Sequence, residues 1–227
     1  MANAEPPTAL RGLIATNVLA IAIAYWQGWP LLLQLWPYWA QNLIIGWFSR
    51  KRILDLRQFS TEGFRINGKA VAATPETQRE VATFFVIHYG FFHAGYLVFL
   101  IVFTAMSLSS SAASEGVGAG MAAVNGRDLL WMLPVVAGYW FSHRASYRQN
   151  LTDDLRGNPN IGTLMFLPYA RVLPMHLTII LAIPLGDAWG TLVFGALKTG
   201  ADLLMHQVEH RWLRSSVPAE VGGAAKP

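Results

Sequence analysis

The chain has 227 residues, 53% of them hydrophobic and 13% charged, with a net charge of +4 and no cysteine. Soluble domains carry about 25% charged residues, so this balance and a mean hydropathy of +0.34 point away from an ordinary soluble fold. The absence of cysteine excludes disulfides, thiolate metal sites and cysteine nucleophiles. The basic balance reads as loop charge on the cytoplasmic side rather than as a nucleic-acid footprint.

A bilayer core about 30 Å thick needs roughly 20 apolar residues per helix. Six stretches qualify, at about 9–27, 30–49, 80–106, 128–147, 169–186 and 188–212. The first carries one arginine ahead of it and no A-x-A site, which predicts an anchor helix rather than a cleaved signal. Pro37 and Pro134 interrupt the second and fourth stretches. Pro168 opens the fifth, which also contains Pro174. Proline is tolerated in a span when neighbours satisfy the freed carbonyl.

The loops set the orientation. Arg50, Lys51, Arg52, Arg57, Arg65, Lys69 and Arg79 crowd the second loop. Arg144, Arg148, Arg156 and Arg171 surround the fourth, and Arg211, Arg214 and Lys226 lie in the tail. The turns at 27–30 and 186–189 and the loop 107–126 carry no basic residue. The positive-inside rule then places both termini in the cytoplasm. The expected fold is all-α: one integral membrane domain over 1–227, a polytopic bundle of six spans in the inner membrane. Residues 50–79 form a cytoplasmic loop or small cap, and 213–227 a flexible tail. Inside the cap, Asn67-Gly68 between β-prone runs predicts a type I′ hairpin. Thr74-Pro75-Glu76 predicts a helix start: cap, proline at the first helical position, and acid.

All six histidines fall on predicted spans. At 1.5 Å per residue, His88 lies about 10 Å, His143 about 6 Å, and His176 and His206 about 9 Å from the cytoplasmic ends of their helices. His210 is one turn nearer the cytoplasm than His206, and Gln41 and Asn42 share the layer. His93 lies deeper and on another face, where a helix–helix hydrogen bond is the plain reading. Intramembrane ionisable groups are costly and face the bundle interior or a wet cavity, so groups meeting at one depth predict a shared site. Imidazole is the commonest metal ligand, and a cysteine-free site suits Zn, Fe, Cu or Ni better than Mg or Ca.

The last span supplies the sharpest pattern. Lys198, Asp202, His206 and His210 recur every four residues and form one stripe. His206 and His210 suit chelation from successive turns. Asp202 is a third ligand, a partner of a histidine N–H, or the ion-pair partner of Lys198. His206-Gln207-Val208-Glu209-His210 matches H-x-x-E-H, in which the glutamate is general base. The expected site is a divalent metal, zinc first and iron second. Its ligands are His88, His143, His176, His206 and His210, with Glu209 and Asp202 moving protons. The bland alternative is a polar packing network. Ser142 and Ser146 flank His143 outside any G-x-S-x-G setting. Tyr169 and Arg171 read as interface anchors before substrate clamps.

HYGFFH, SHRAS, PYARVLPMHLTI and KTGADLLMHQVEH, with WPYWAQNLIIG upstream, resemble an uncharacterised bacterial family of polytopic membrane proteins, a domain of unknown function. The resemblance covers about 30–211 and implies the six-span fold and a bacterial membrane, but no activity. His206 and His210 are also similar to the zinc pair on the last helix of the adiponectin-receptor and alkaline-ceramidase superfamily, with His88 or His176 in the place of its third histidine. HQVEH and HYGFFH are similar to the histidine boxes of membrane fatty-acid desaturases. Those need about eight histidines, and here Arg211 stands where a second adjacent one belongs. The function expected is a zinc-dependent hydrolase of a lipid or membrane-embedded substrate. The alternatives are a haem or quinone electron carrier, a non-haem iron oxidoreductase, and a metal or proton transporter. The partners expected are the lipid bilayer and a small-molecule or lipid substrate, with no nucleic acid.

Overall fold

The structure is a computed structural model, and it describes residues 8–109, 126–178, 180, 189 and 192–201. Four long helices carry it: α1 (Thr8–Trp26), α2 (Leu31–Leu54), α3 (Pro75–Ser109) and α4 (Gly126–Asp154). Between α2 and α3 lies a two-stranded hairpin, β1 (Arg65–Ile66) and β2 (Lys69–Ala70). After α4 come α5 (Ile161–Phe166), a 3-10 turn (Leu167–Arg171) and α6 (Val172–Leu177). A further apolar helix, α7, spans Leu192–Ala201.

The helix boundaries follow from local chemistry. α1 ends in a Schellman turn: the Trp29 N–H reaches the Ala24 carbonyl at 2.8 Å and the Gly28 N–H reaches Tyr25 at 3.2 Å. Gly28 sits at φ +63°, which glycine adopts without a Cβ penalty. The hairpin turn has Asn67 at φ 52° and Gly68 at φ 77°, the two positive angles a type I′ turn requires. Thr74 caps α3, its hydroxyl accepting from the Thr77 N–H at 3.3 Å. Asn160 caps α5 in the same way, accepting from Thr163 at 3.1 Å.

Pro37 and Pro134 do not break their helices; α2 and α4 run through both. Each proline removes one N–H and frees one carbonyl, which interrupts the ladder for a single bond. The expected span at 169–186 opens differently. Pro168, at the start of the 3-10 turn, lacks the N–H of a regular first turn, and a tight i→i+3 turn leads into α6. Six spanning helices are not what the described residues provide. Among them, Pro75–Met106 of α3 is the one helix long and apolar enough to cross a membrane.

Side-chain pairs fix how the helices pack. α2 and α4 run parallel, joined by Trp29–Asp128 at their N-terminal ends, Gln41–His143 midway and Arg52–Asp154 at their C-terminal ends. α3 runs antiparallel to α2: Trp36 bonds Thr104, the Tyr89 hydroxyl bonds the Asn42 carbonyl, and Gln78 bonds the carbonyls of Ile53 and Leu56. Small residues let the backbones approach. A Cβ on Gly46 would lie 2.7 Å from the Tyr89 ring, and one on Gly138 would lie 2.9 Å from Thr16 Cγ2. The core runs along α2, where Leu31, Leu32, Leu35 and Ile53 are almost wholly buried.

The 50–79 segment is a cap with a docking partner. Ser60 N–H bonds the Pro159 carbonyl at 2.9 Å, Ile161 N–H bonds Ser60 at 3.0 Å, and Asn160 Nδ2 donates to Glu62 at 2.8 Å. Phe64 lies against Gly162. Beneath it, Lys51, Asp55 and Tyr147 form a cluster. Lys51 Nζ is 2.7 Å from Asp55, and the Tyr147 hydroxyl donates to the same carboxylate. Burial pushes the Asp55 carboxyl upward, but the hydrogen bonds from Lys51 and Tyr147, with the Lys51 charge, outweigh it and hold Asp55 below the ordinary aspartate value.

Candidate functional site

The bundle interior holds buried polar side chains on α2, α3 and α4. Gln41 and Asn42 on α2, His93 on α3, and Ser142 and His143 on α4 are all buried. Gln41 Nε2 lies 3.3 Å from His143 Nε2. Asn42 Nδ2 donates to the Tyr38 carbonyl at 3.1 Å. His93 Nδ1 donates to the Tyr89 carbonyl at 2.8 Å, so its Nε2 is the lone-pair nitrogen. Among the described residues, four buried atoms of these side chains have no hydrogen-bond partner: Gln41 Oε1, Asn42 Oδ1, His93 Nε2 and Ser142 Oγ. Buried polar atoms are ordinarily satisfied. Unsatisfied buried acceptors and a buried hydroxyl are groups open to a polar ligand, a proton or a cation.

Lys198 of α7 lies one turn along the bundle from this zone and is 6% exposed. Its ammonium donates to Asn17 and sits over the rings of Tyr38 and Tyr139, at 5.4 and 5.2 Å. Tyr38 and Tyr139 stand one helical turn before Asn42 and His143. An ammonium in an apolar bundle is thus held by an amide oxygen and two aromatic faces.

The histidines expected in one layer divide between two environments. His143 is in the interior. His88 and His176 are exposed and held by tyrosines: His88 Nδ1 is 2.9 Å from the Tyr169 hydroxyl, and His176 Nδ1 is 3.3 Å from that of Tyr96. His93, set apart by its depth, is 2% exposed and joins these groups. Its ring stacks on Tyr89 at 4.3 Å and meets Tyr96 edge-on at 6.0 Å, while Tyr89 meets Tyr169 at 5.5 Å. A continuous string, His88–Tyr169–Tyr89–His93–Tyr96–His176, runs along α3. Among the described residues no three His, Asp or Glu side chains come close enough to hold a metal. His206, His210, Asp202 and Glu209 lie outside the described residues.

A buried pair that no local sequence pattern signals joins α2 to α4. Arg52 Nε and Nη2 meet the two oxygens of Asp154 at 2.5 and 2.9 Å. Its members stand 102 positions apart in sequence, in regions read only as basic loops. Tyr169 reads from sequence as an interface anchor, and nothing local singles out Tyr96. Their hydroxyls have a second use, as partners of histidine.

Comparison with known proteins decides the kinship. A family model described as a family of unknown function (DUF6498) matches residues 1–219. The chain belongs to that family. No curated protein and no solved structure matches it, so membership of DUF6498 brings no activity, ligand or fold precedent with it.

Proposed function

We propose that this DUF6498 member is an integral protein of a bacterial inner membrane, with six spans and both termini in the cytoplasm. We further propose that its interior holds a divalent metal, zinc first, near the cytoplasmic face. The observation that carries the reading is the inverted distribution of polarity. Ile87, Phe91 and Val98 on α3 are exposed, as are Val18 and Ile21 on α1 and Leu133 and Phe141 on α4, while Gln41, Asn42, His93, His143 and Lys198 are buried. Of the apolar window on α3, 28% is buried, and a core helix of a soluble protein would hide most of such a surface. Lipid is the solvent in which apolar outside and polar inside is stable.

The metal part is supported by buried His143, by the unsatisfied amide oxygen of Gln41 beside it, and by the sequence spacing of His206 and His210. Lys198 meets Tyr139 one turn from His143. By sequence spacing, Asp202, His206 and His210 continue the four-residue stripe that begins at Lys198. The ligand set favoured is His143, His206 and His210. Exposed and tyrosine-bound, His88 and His176 stand outside it. The chemistry a zinc ion supplies is a bound water with its pKa lowered toward ~7 and a polarised carbonyl, suited to hydrolysis of a lipid ester or amide. Glu209 and Asp202 are placed by the sequence to move the proton.

Elemental analysis of protein purified in mild detergent tests this reading. About one zinc or iron per chain, lost in His206→Ala/His210→Ala and reduced in His143→Ala, supports it. No metal in the wild type, even after incubation with zinc, ends it. A second reading, a redox or proton carrier, draws on the histidine–tyrosine string along α3. A Soret band or bound quinone in the purified protein, lost in Tyr96→Phe/Tyr89→Phe, would favour that one.

A further inference from the structure

A small open cleft of about 50 Å³ lies between α2 and the 161–171 stretch. Its polar lining is Ser49, Arg52 and Arg171, and its apolar wall includes Ile45, Leu164 and Leu167. The two arginines differ. Arg52 has its charge matched by Asp154. Arg171 forms no ion pair among the described residues, and its buried Nε has no hydrogen-bond partner. Its backbone is pinned, because the Tyr38 hydroxyl donates to the Arg171 carbonyl at 2.8 Å. An interface anchor extends its guanidinium into water; a buried Nε in a cleft leaves a donor with nothing to bond. Among the described residues the cleft therefore holds one unmatched positive charge, a hydroxyl, and an apolar wall.

We propose that this cleft binds the singly charged acid group, phosphate or carboxylate, of an amphiphile. Arg171 and Ser49 hold the acid and Ile45, Leu164 and Leu167 line the start of its apolar part. A guanidinium is the side chain suited to two parallel hydrogen bonds with such oxygens. Arg52 adds positive potential without being available as a full countercharge, which matches a phosphodiester better than a dianion. The membrane reading supplies one source, an anionic lipid of the cytoplasmic leaflet, where the basic ends of α2 and α4 would lie. A soluble phosphate is the other source, and the acid-binding chemistry is the same for both.

The test uses the full chain in a neutral detergent, titrated with dihexanoyl phosphatidylglycerol, dihexanoyl phosphatidylcholine or sodium phosphate, and followed by tryptophan fluorescence and thermal shift. Saturable binding of phosphatidylglycerol at least tenfold tighter than phosphatidylcholine is expected. It should weaken at least tenfold in Arg171→Gln and in Ser49→Glu and by less in Arg171→Lys, which keeps the charge but not the paired hydrogen bonds, all with wild-type helicity. Phosphate binding as tightly as phosphatidylglycerol assigns the site to a soluble anion; weaker binding assigns it to a lipid. Equal binding of the two lipids, or wild-type affinity in a folded Arg171→Gln or Ser49→Glu, overturns the proposal. If Arg171→Gln does not fold, Ser49→Glu decides alone. A chain that stays in solution without detergent, yet binds phosphate through Arg171, keeps the site and loses the membrane reading.

Discussion

Replacing Asp154 by alanine removes one half of an ion pair that joins the C-terminal ends of α2 and α4. The Asp154 side chain is 1% exposed and that of Arg52 is 10% exposed, and two hydrogen bonds link them. The loss is not the worth of the pair but the cost of a guanidinium left buried without its carboxylate, about 3–5 kcal/mol. For a chain of this length about 1 kcal/mol moves the melting midpoint by roughly 2–4 °C, so Asp154→Ala should melt roughly 6–20 °C lower. Arg52→Met should cost a similar amount. The double change Arg52→Met/Asp154→Leu removes both charges together and should recover most of the loss. Thermal unfolding in detergent, read by tryptophan fluorescence, completes the cycle. A shift below roughly 2 °C in each single variant, or a double variant no better than the worse single one, would refute the reasoning.

Gly46→Leu should destabilise more than Gly46→Ala, and the alanine by about 1–3 kcal/mol, because a Cβ at 2.7 Å meets a Tyr89 ring that its own hydroxyl anchors to Asn42; equal melting points would show that α2 and α3 are not so close. Gly68→Ala should cost about 1 kcal/mol through its φ of +77°, checked by proteolysis of the cap, whereas unchanged cleavage would deny the turn. The Asp55 cluster gives a pH dependence with a fixed sign. With its carboxyl held below the model-peptide value of 3.8, its contribution is present above that value and lost as pH falls through the lowered folded one. Asp55→Asn should therefore melt nearer the wild type at pH 3 than at pH 7. Its exposed lysine partner keeps the difference small, about 0.5 kcal/mol, and salt-dependent; a larger gap at low pH would reverse the sign and the argument.

Some of this molecule is legible in its sequence and some is not, for physical reasons. Local signals carried the Asn67-Gly68 turn and the Thr74 cap, because each depends on a few adjacent residues; α2 and α4 run past the apolar stretches at 30–49 and 128–147 to Leu54 and Asp154, since a helix does not end where its hydrophobicity does. The depth argument for the histidines used rise per residue, which fixes height along a helix and says nothing about azimuth. His88 and His143 share a height and face different surroundings, while His93, five residues from His88, turns into the bundle. Arg52 and Asp154 look like ordinary loop charges until α2 and α4 are set parallel, and no local pattern does that. The helix α5 is six residues long, too short for periodicity to show. Its Asn160 cap is local, while the Ser60 bridge beside it comes from tertiary docking of the 50–79 segment.

The central claim is that this bundle sits in lipid with its apolar surface outward, and the absence of cysteine makes it directly testable. Single cysteines at Gln27, Lys69, Ile87, Phe91 and Val98 give unique labels for a membrane-impermeant maleimide. All but Gln27 replace exposed residues. In spheroplasts only the Gln27 variant should react, and in inverted vesicles only the Lys69 variant. The three α3 variants should react in neither until detergent or denaturant is added. Prompt labelling at Ile87, Phe91 and Val98 in intact membranes, at the rate seen for Lys69, would mean that water covers this face, and the account would fail.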